Sequence, residues 1–230
     1  GEGNSRHGTL ISWGYFDFGV LGWVPEHWGG FGKDYNGDKR ISEAERLRWN
    51  DEELKGQGFA PWKAFKHPQL GDVEIGGWRR KFTQQNPPPS MLEAEIAMKV
   101  SWFTEMAMVS PIVAIQKAKA TALGGGLFRV DLVVENRGYM PTNITERAIV
   151  AKLAKPVRAS LKLTAAALVD GKAAISLGHI PGRRSLSAAS PNDNARTLSW
   201  VLRATTPGLV VEIEVVSEKG GTDRRKVALR

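Results

Sequence analysis

The 230-residue sequence predicts an α/β segment followed by an antiparallel all-β sandwich. Three observations support this order. Residues 1–110 carry 13 Lys and Arg against 15 Asp and Glu, whereas residues 111–230 carry 19 against 9. Seven of the eight Trp residues lie in the first segment. From residue 112 onwards, apolar and polar residues alternate, which is typical of strands with one buried face. We therefore expect two domains, residues 1–111 and 112–230.

The composition excludes several classes of protein. Apolar residues make up 42% and charged residues 24% of the chain, which is typical of globular domains and not of disordered or collagen-like ones. The chain has no Cys, which excludes disulfides and thiolate metal sites. No apolar run is long enough for a membrane-spanning helix. The net charge of +8 comes from scattered basic residues, which predicts a solvated surface and no nucleic-acid partner.

The first helix is predicted at Thr9 to Phe18, with Gly19 as a left-handed stop. The apolar run over residues 20–25 has the composition of a strand buried on both faces of an α/β sheet. Glu26 follows it directly. Because open α/β sheets place their sites at the carboxyl ends of strands, Glu26 is a candidate catalytic carboxylate. The alternative is a solvent-facing Glu that ends the strand.

Two further helices are predicted before the sandwich. The first runs from Glu43 to Leu54 and begins after Ser42. Ser90 and Glu93 form a capping box for the second, which ends near residue 109. Apolar residues at helical spacing are expected to form its buried face. They are Leu92, Ile96, Val100, Phe103 and Ala107.

The most specific local pattern is the segment Asp34 to Glu45, which resembles an EF-hand calcium loop. The expected ligands are the side chains of Asp34, Asn36, Asp38 and Glu45 and the backbone carbonyl of Arg40. Lys39 departs from the pattern, since the sharp turn at the sixth position favours Gly. The alternative is a polar turn followed by a capping box between Ser42 and Glu45. Calcium is therefore a candidate ligand.

The second half of the chain predicts several short antiparallel strands. Alternation is clearest over residues 127–135, 197–204 and 210–216. Turn signals separate these segments at residues 136–138, 170–171 and 220–221. The segment contains no cluster of His or carboxylates of the kind that an active site needs, and His179 is expected to be a packed or surface residue. The prediction is a sandwich of about 110 residues.

No complete catalytic set is visible in the chain. None of its four His residues begins a His-x-x-Glu pair or lies at helical spacing from another, so no zinc site is predicted within it. The sequence also lacks a Gly-x-Ser-x-Gly elbow, a phosphate-binding loop and a dinucleotide fingerprint. The three consecutive glycines at residues 124–126 precede a strand and predict a turn.

The segment Gly8 to Glu26 resembles the zinc metallocarboxypeptidases of the carboxypeptidase A type. In that family a short helix is followed by Gly and a buried strand that ends in the catalytic Glu. The matching residues are Ile11, Trp13, Tyr15, Gly19 and Glu26. Residues 67–78 and the Pro-rich entry to the last helix are similar to bacterial members. Residues 133–142 resemble the start of the β-sandwich that such members often add.

The resemblance implies that this chain is the C-terminal portion of an α/β/α catalytic domain. Zinc would be held by ligands upstream of the chain, in the other half of the same domain, and Glu26 would be the general base. Ile11 occupies the selectivity position, which implies an apolar C-terminal residue in the peptide or protein substrate. The family's substrate-binding Tyr would fall near Asn4, where Arg6 or His7 are possible replacements. The family is secreted or periplasmic.

Two alternatives to the enzyme remain. The first is a non-catalytic, calcium-dependent binding or adhesion module whose basic sandwich engages a polymer or a cell surface. The second is an enzyme-like domain that has lost its zinc ligands. The sequence upstream of residue 1 distinguishes these alternatives, because the enzyme requires a His-x-x-Glu pair and a later His there.

Overall fold

The protein is described by a computed structural model that covers residues 8–183, 193–206 and 208–230. Two compact units are recognised. One contains the chain up to Trp23 together with Met106–Arg230, and the other contains Val24–Glu105. The predicted positions Asn4, Arg6 and His7 lie outside the described residues. The predicted domain division after residue 111 stays a prediction.

The described residues contain four α-helices. They are α1 Leu10–Phe18, α2 Glu43–Glu53, α3 Leu92–Met108 and α4 Glu146–Val150. The predicted starts of the first two are confirmed, since Thr9 and Ser42 act as their N-caps. A 3-10 turn, Pro89–Met91, precedes α3. Within the described part of the chain, no helix is long and apolar enough to span a membrane.

Ten strands are described, and every ladder between them is antiparallel. The first two, β1 and β2, form a separate hairpin. The strands are β1 Phe59–His67, β2 Gly71–Trp78, β3 Val113–Gly124, β4 Leu127–Asn136, β5 Val157–Lys162, β6 Ala167–Asp170, β7 Ala174–Gly178, β8 Ala195–Arg203, β9 Val210–Ser217 and β10 Gly221–Ala228.

The eight strands of the second half form two four-stranded sheets, which confirms the predicted antiparallel architecture. Their strand orders are β10-β9-β5-β7 and β3-β4-β8-β6. Alternate residues of both sheets point into one shared core, the arrangement of a β-sandwich. Its largest fully buried side chains are Trp200, Ile115, Leu132, Ile180, Leu202, Ile213 and Leu229. The period-two pattern predicted this core because each strand has one apolar face.

Side chains join the two sheets along one edge. The backbone N–H of Ile115 on β3 donates to Asp223 Oδ2 of β10 at 2.8 Å. The Nη2 of Arg225 donates to the carbonyl of Ile115 at 3.2 Å. These bonds satisfy backbone groups of an edge strand that would otherwise face solvent. The sandwich is therefore closed by polar contacts on this side.

Helix α1 ends against the loop region that contains α4. Gly19 has a φ of 64°, and the hydroxyl of Thr145 donates to its carbonyl at 2.6 Å. A Cβ atom at Gly19 would lie 2.4 Å from the Cβ of Ala148. Glycine is therefore required here both for the left-handed turn and for the close approach of two backbones.

The predicted buried strand over residues 20–25 is wrong, because this segment has no strand in the structure. After Gly19 the chain turns back on α1, and the N–H of Val20 donates to the carbonyl of Gly14 at 3.1 Å. Leu21, Trp23 and Val24 are exposed. A strand needs a neighbouring strand to pair its backbone groups, and this segment belongs to none of the described sheets.

The predicted buried face of α3 is also wrong for this chain. Helix α3 has no buried residue among those described, and four of the five predicted stripe residues are about half exposed. The helical spacing itself is correct, so the stripe exists, but it stays largely exposed and the ring of His27 contacts it at Phe103. The described part of residues 8–111 thus has helices and one antiparallel hairpin, and an α/β carboxypeptidase domain stays a proposal.

The unit Val24–Glu105 has a small core of its own. Trp49 and Leu54 at the end of α2 are buried, and Asn50 between them accepts the N–H of Gly58 through Oδ1 at 2.7 Å. The indole N–H of Trp28 donates to the carbonyl of Thr83 at 2.7 Å. The first bond joins α2 to the start of the hairpin, and the second joins the segment before α2 to the turn after β2.

Candidate functional site

Glu26 lies on a segment that is neither helix nor strand, and the residue is exposed. Its neighbours hold the segment in place. The ring of His27 stacks on Phe103 of α3 with centroids 6.1 Å apart, and Trp28 is bonded to Thr83. The backbone that follows Glu26 is therefore anchored by contacts of the next two residues. Glu26 does not lie at the end of a buried strand, as was predicted.

Ile11 lies on α1 and is partly exposed. A Cβ atom on Gly22 would lie 2.8 Å from Ile11 Cγ2, so the returning chain crosses directly over this side chain. The predicted selectivity residue is thus partly covered by the segment that leads to Glu26. Its role in binding substrate stays a prediction.

The predicted calcium loop forms a turn built on its acidic side chains. Asp34 accepts the N–H groups of Gly37 at 2.7 Å and Lys39 at 2.9 Å. Asn36 Oδ1 accepts the N–H of Asp38 at 2.8 Å, and Asp38 Oδ1 accepts that of Arg40 at 2.7 Å. Successive side chains therefore hold successive amides, as in overlapping Asx-turns.

Lys39 adopts a φ of 66°, the left-handed conformation expected at the sixth position of the loop. This conformation costs a residue with a Cβ atom about 1–2 kcal/mol. The bond from its N–H to Asp34 offsets part of that cost. The sequence comparison with an EF-hand loop therefore identified the position of the sharp turn, even though the residue is not Gly.

Glu45 is buried at the start of α2 and closes the loop. Its Oε2 accepts the N–H of Ser42 at 2.9 Å and the Ser42 hydroxyl at 2.8 Å, and its Oε1 accepts the N–H of Tyr35 at 2.9 Å. These bonds, that of the Ser42 backbone first, lower the pKa of Glu45 from 4.5 to about 2. The capping box predicted as the alternative is present. To bind calcium through both carboxylate oxygens, Glu45 would have to give up its hydrogen bonds to Ser42 and Tyr35.

No group of three or more His, Cys, Asp or Glu side chains suited to hold a metal ion occurs in residues 8–183, 193–206 and 208–230. The described structure therefore does not bring the carboxylates of Asp34, Asp38 and Glu45 together as a metal-ligating group. The loop combines two carboxylates, an amide and a carbonyl with Glu45, and calcium binding there stays a prediction.

Sequence analysis did not identify an aromatic pocket beside the hairpin. It has a volume of about 450 Å³, and its walls include Phe31, Phe59, Trp62 and Trp78. The ring of Trp78 packs edge-on against Phe31 and Phe59, with centroids 4.9 and 5.2 Å apart. Two consecutive glycines late in a strand are a signal of close backbone approach, and residues 76–77 carry that signal.

The pocket also has a polar rim. Glu43 Oε1 accepts the indole N–H of Trp78 at 2.6 Å, and Oε2 of the same carboxylate pairs with Arg46 at 3.3 Å. The Nε of Arg80 donates to Gln84 Oε1 at 2.9 Å. Acceptors and donors therefore lie beside an aromatic wall.

The fold of the second half defines an antiparallel β-sandwich module. The chain belongs to the DUF8731 family, a domain of unknown function, which matches residues 112–228. This range contains strands β3 to β10. A search of the curated proteins gives no match. The family match thus describes the sandwich and assigns no activity to it.

Proposed function

We propose that the chain is the C-terminal portion of a secreted or periplasmic zinc carboxypeptidase that removes C-terminal residues from peptides. The observation that carries this proposal is the exposure of two apolar helices. Helix α1 has no buried residue, and three of its four aromatic side chains, Trp13, Phe16 and Phe18, are each at least half exposed. The stripe of α3 is exposed in the same way.

Large exposed apolar patches mark interaction surfaces. An isolated helix with an apolar face gains little stability until that face is covered. The proposal assigns the covering of both helices to the upstream half of the same catalytic domain. The resemblance over residues 8–26 and 67–78 supports the same partner.

In the proposed reaction, Glu26 accepts a proton from the attacking water and transfers it to the nitrogen of the leaving amine. Zinc, which residues upstream of this chain would hold, would supply a Lewis acid for the scissile carbonyl. The bonds and rings that hold residues 27 and 28 restrict the position of the Glu26 backbone. Ile11 would contact an apolar C-terminal side chain of the substrate.

The experiment is the substitution Glu26→Gln in the complete protein with its upstream half. We expect turnover of a peptide with an apolar C-terminus to fall at least about a hundredfold, because general acid–base catalysis contributes that much. Glu74→Gln, an exposed carboxylate on β2, is the matched control and is expected to leave turnover unchanged. Turnover within about threefold of wild type for Glu26→Gln would reject the assignment.

A second candidate is a non-catalytic, calcium-dependent binding module, and the left-handed Lys39 in the calcium-like loop favours it. Calorimetry with calcium on the 230-residue chain tests it. The module predicts heat at millimolar calcium or below that disappears in Asp34→Ala and persists in Asp72→Ala, a carboxylate outside the loop. Absence of heat at millimolar calcium would remove this candidate and leave the peptidase proposal untouched.

A further inference from the structure

The hairpin β1–β2 exposes one tryptophan, Trp62, to solvent. The register of the two strands shifts between Ala60 and Lys63, so Trp62 lies in a bulge. Bulges re-aim side chains in a ladder. Trp62 is 59% exposed, a large fraction for a side chain of this size at the centre of a strand.

Two glycines on the opposite strand make this position possible. A Cβ atom at Gly76 would lie 2.7 Å from the Cα of Trp62, and one at Gly77 would lie 3.2 Å from its Cζ2. Gly77 also has a φ of 97°, which disfavours any other residue. The indole ring therefore rests on a surface without side chains, with much of its area open to solvent.

The polar rim of the pocket favours a ligand that is neutral and rich in hydroxyl groups. The lining contains one carboxylate, Glu43, and one guanidinium, Arg80, so a ligand with a net charge would meet one group of its own sign. Gln84 adds an amide that both donates and accepts. Hydroxyl groups also donate and accept, so they can bond to all three side chains.

The aromatic wall favours the same class of ligand. The face of an aromatic ring carries partial negative charge and attracts weakly polarised C–H groups, which line one face of a pyranose ring. The volume of about 450 Å³ lies within the range of about 300–1,000 Å³ for ligand pockets. We propose that the pocket formed by Trp62, Trp78, Glu43, Arg80 and Gln84 binds a neutral saccharide, with Trp62 as the stacking platform.

This inference does not depend on the proposed peptidase activity. The 230-residue chain is titrated with cellotetraose and with chitotetraose, and tetragalacturonate serves as a charged comparison. Binding is followed by calorimetry and by intrinsic tryptophan fluorescence. We expect at least one neutral oligosaccharide to bind with a Kd of about 1 mM or tighter, and tetragalacturonate to bind at least tenfold more weakly.

Two pairs of variants locate the binding. Trp62→Ala is expected to weaken binding at least about tenfold, as truncation of an aromatic anchor does. Trp13→Ala, which removes an indole of similar exposure (52%) on α1, is expected to leave it unchanged. Gln84→Ala is expected to weaken binding about threefold or more. Its control, Gln69→Ala at the hairpin turn, is expected to leave binding unchanged. Circular dichroism checks that each variant is folded.

Three results would overturn the proposal. They are no binding of either neutral oligosaccharide to the wild-type chain, equal affinities of Trp62→Ala and Trp13→Ala, and tighter binding of tetragalacturonate than of the neutral sugars. None of these results bears on the Glu26→Gln experiment, which is measured on peptide hydrolysis.

Discussion

At the residue scale, Asn136 joins several backbone segments of the sandwich unit through its buried side chain. Its side chain is fully buried. The Nδ2 group donates to the carbonyls of Met140 at 2.8 Å and Pro181 at 3.2 Å, and Oδ1 accepts the N–H groups of Ile112 at 3.0 Å and Gly138 at 3.1 Å. One amide thus satisfies backbone groups from three separate segments, which buried polar groups require.

We expect Asn136→Ala to destabilise the sandwich by about 3 kcal/mol, because it leaves several buried donors and acceptors without partners. Urea unfolding monitored by hydrogen exchange of the amides in β4 and β8 measures the change. Asn86→Ala is the control, since that exposed side chain makes one bond, to the carbonyl of Lys81. Equal midpoints for the two variants would contradict this role of Asn136.

Glu45 gives the unit Val24–Glu105 a dependence on pH. Its pKa is lowered from 4.5 to about 2, so its bonds stabilise the folded state fully above about pH 4.5. This stability is lost as the pH falls through about 2, where the carboxylate becomes protonated. We expect the wild-type thermal midpoint to fall more steeply over this range than that of Glu45→Gln, in scanning calorimetry. Parallel curves for the two proteins would contradict the shift.

At the element scale, the end of α1 depends on a glycine at a crowded position. Gly19→Ala would add both a left-handed residue and a contact of 2.4 Å with Ala148. Gly8 also has a positive φ, of 71°, but a Cβ atom there meets nothing within 4 Å. Comparing Gly19→Ala with Gly8→Ala therefore separates the destabilisation caused by the backbone conformation from that caused by crowding.

We expect Gly19→Ala to destabilise the protein by about 1–3 kcal/mol more than Gly8→Ala, because overpacking adds to conformational strain. Hydrogen exchange of the amides in α1 is expected to quicken only in Gly19→Ala, since the helix would lose its contact with α4. Similar exchange rates in both variants would show that the contact contributes little.

At the scale of the whole molecule, the apolar stripe of α3 is expected to make the chain self-associate when it is produced alone. Val100→Glu places a charge in that stripe, whereas Ser101→Glu places one at the next residue on the same helix. We expect Val100→Glu to raise the monomer fraction in analytical ultracentrifugation and Ser101→Glu to have a smaller effect. Equal effects would indicate that net charge, and not the stripe, controls association.

Local patterns predicted three helices and three strands of the sandwich, but not the hairpin β1–β2 or α4. Thr9 and Ser42 were identified as helix starts, Gly19 as a left-handed stop, and the alternating segments as strands, because each depends on neighbours within a few residues. The prediction of a strand over residues 20–25 was wrong because an apolar run does not determine which segment pairs with it. The buried face of α3 failed for the same reason, since spacing defines a stripe and not what covers it.

The features of the candidate sites also divide into those that local spacing predicts and those that depend on the fold. The left-handed Lys39 and the capping box of Glu45 follow from spacing within twelve residues, and both are present. The pocket around Trp62 needed the fold, because it joins α2, the hairpin and the turn that follows it. The register shift that exposes Trp62 is likewise a property of two paired strands.

The sequence by itself determined the starts of α1 and α2, the polar turn before α2 and the period-two core of the sandwich, because these depend on local hydrogen bonds and on one apolar face per strand. The capping box predicted at Ser90 is replaced by the 3-10 turn Pro89–Met91. Only the tertiary structure decided which faces are covered. Burial depends on segments that are distant in the chain. The tertiary structure therefore buries Trp200 in the sandwich and leaves Trp62 and the stripe of α3 in contact with solvent.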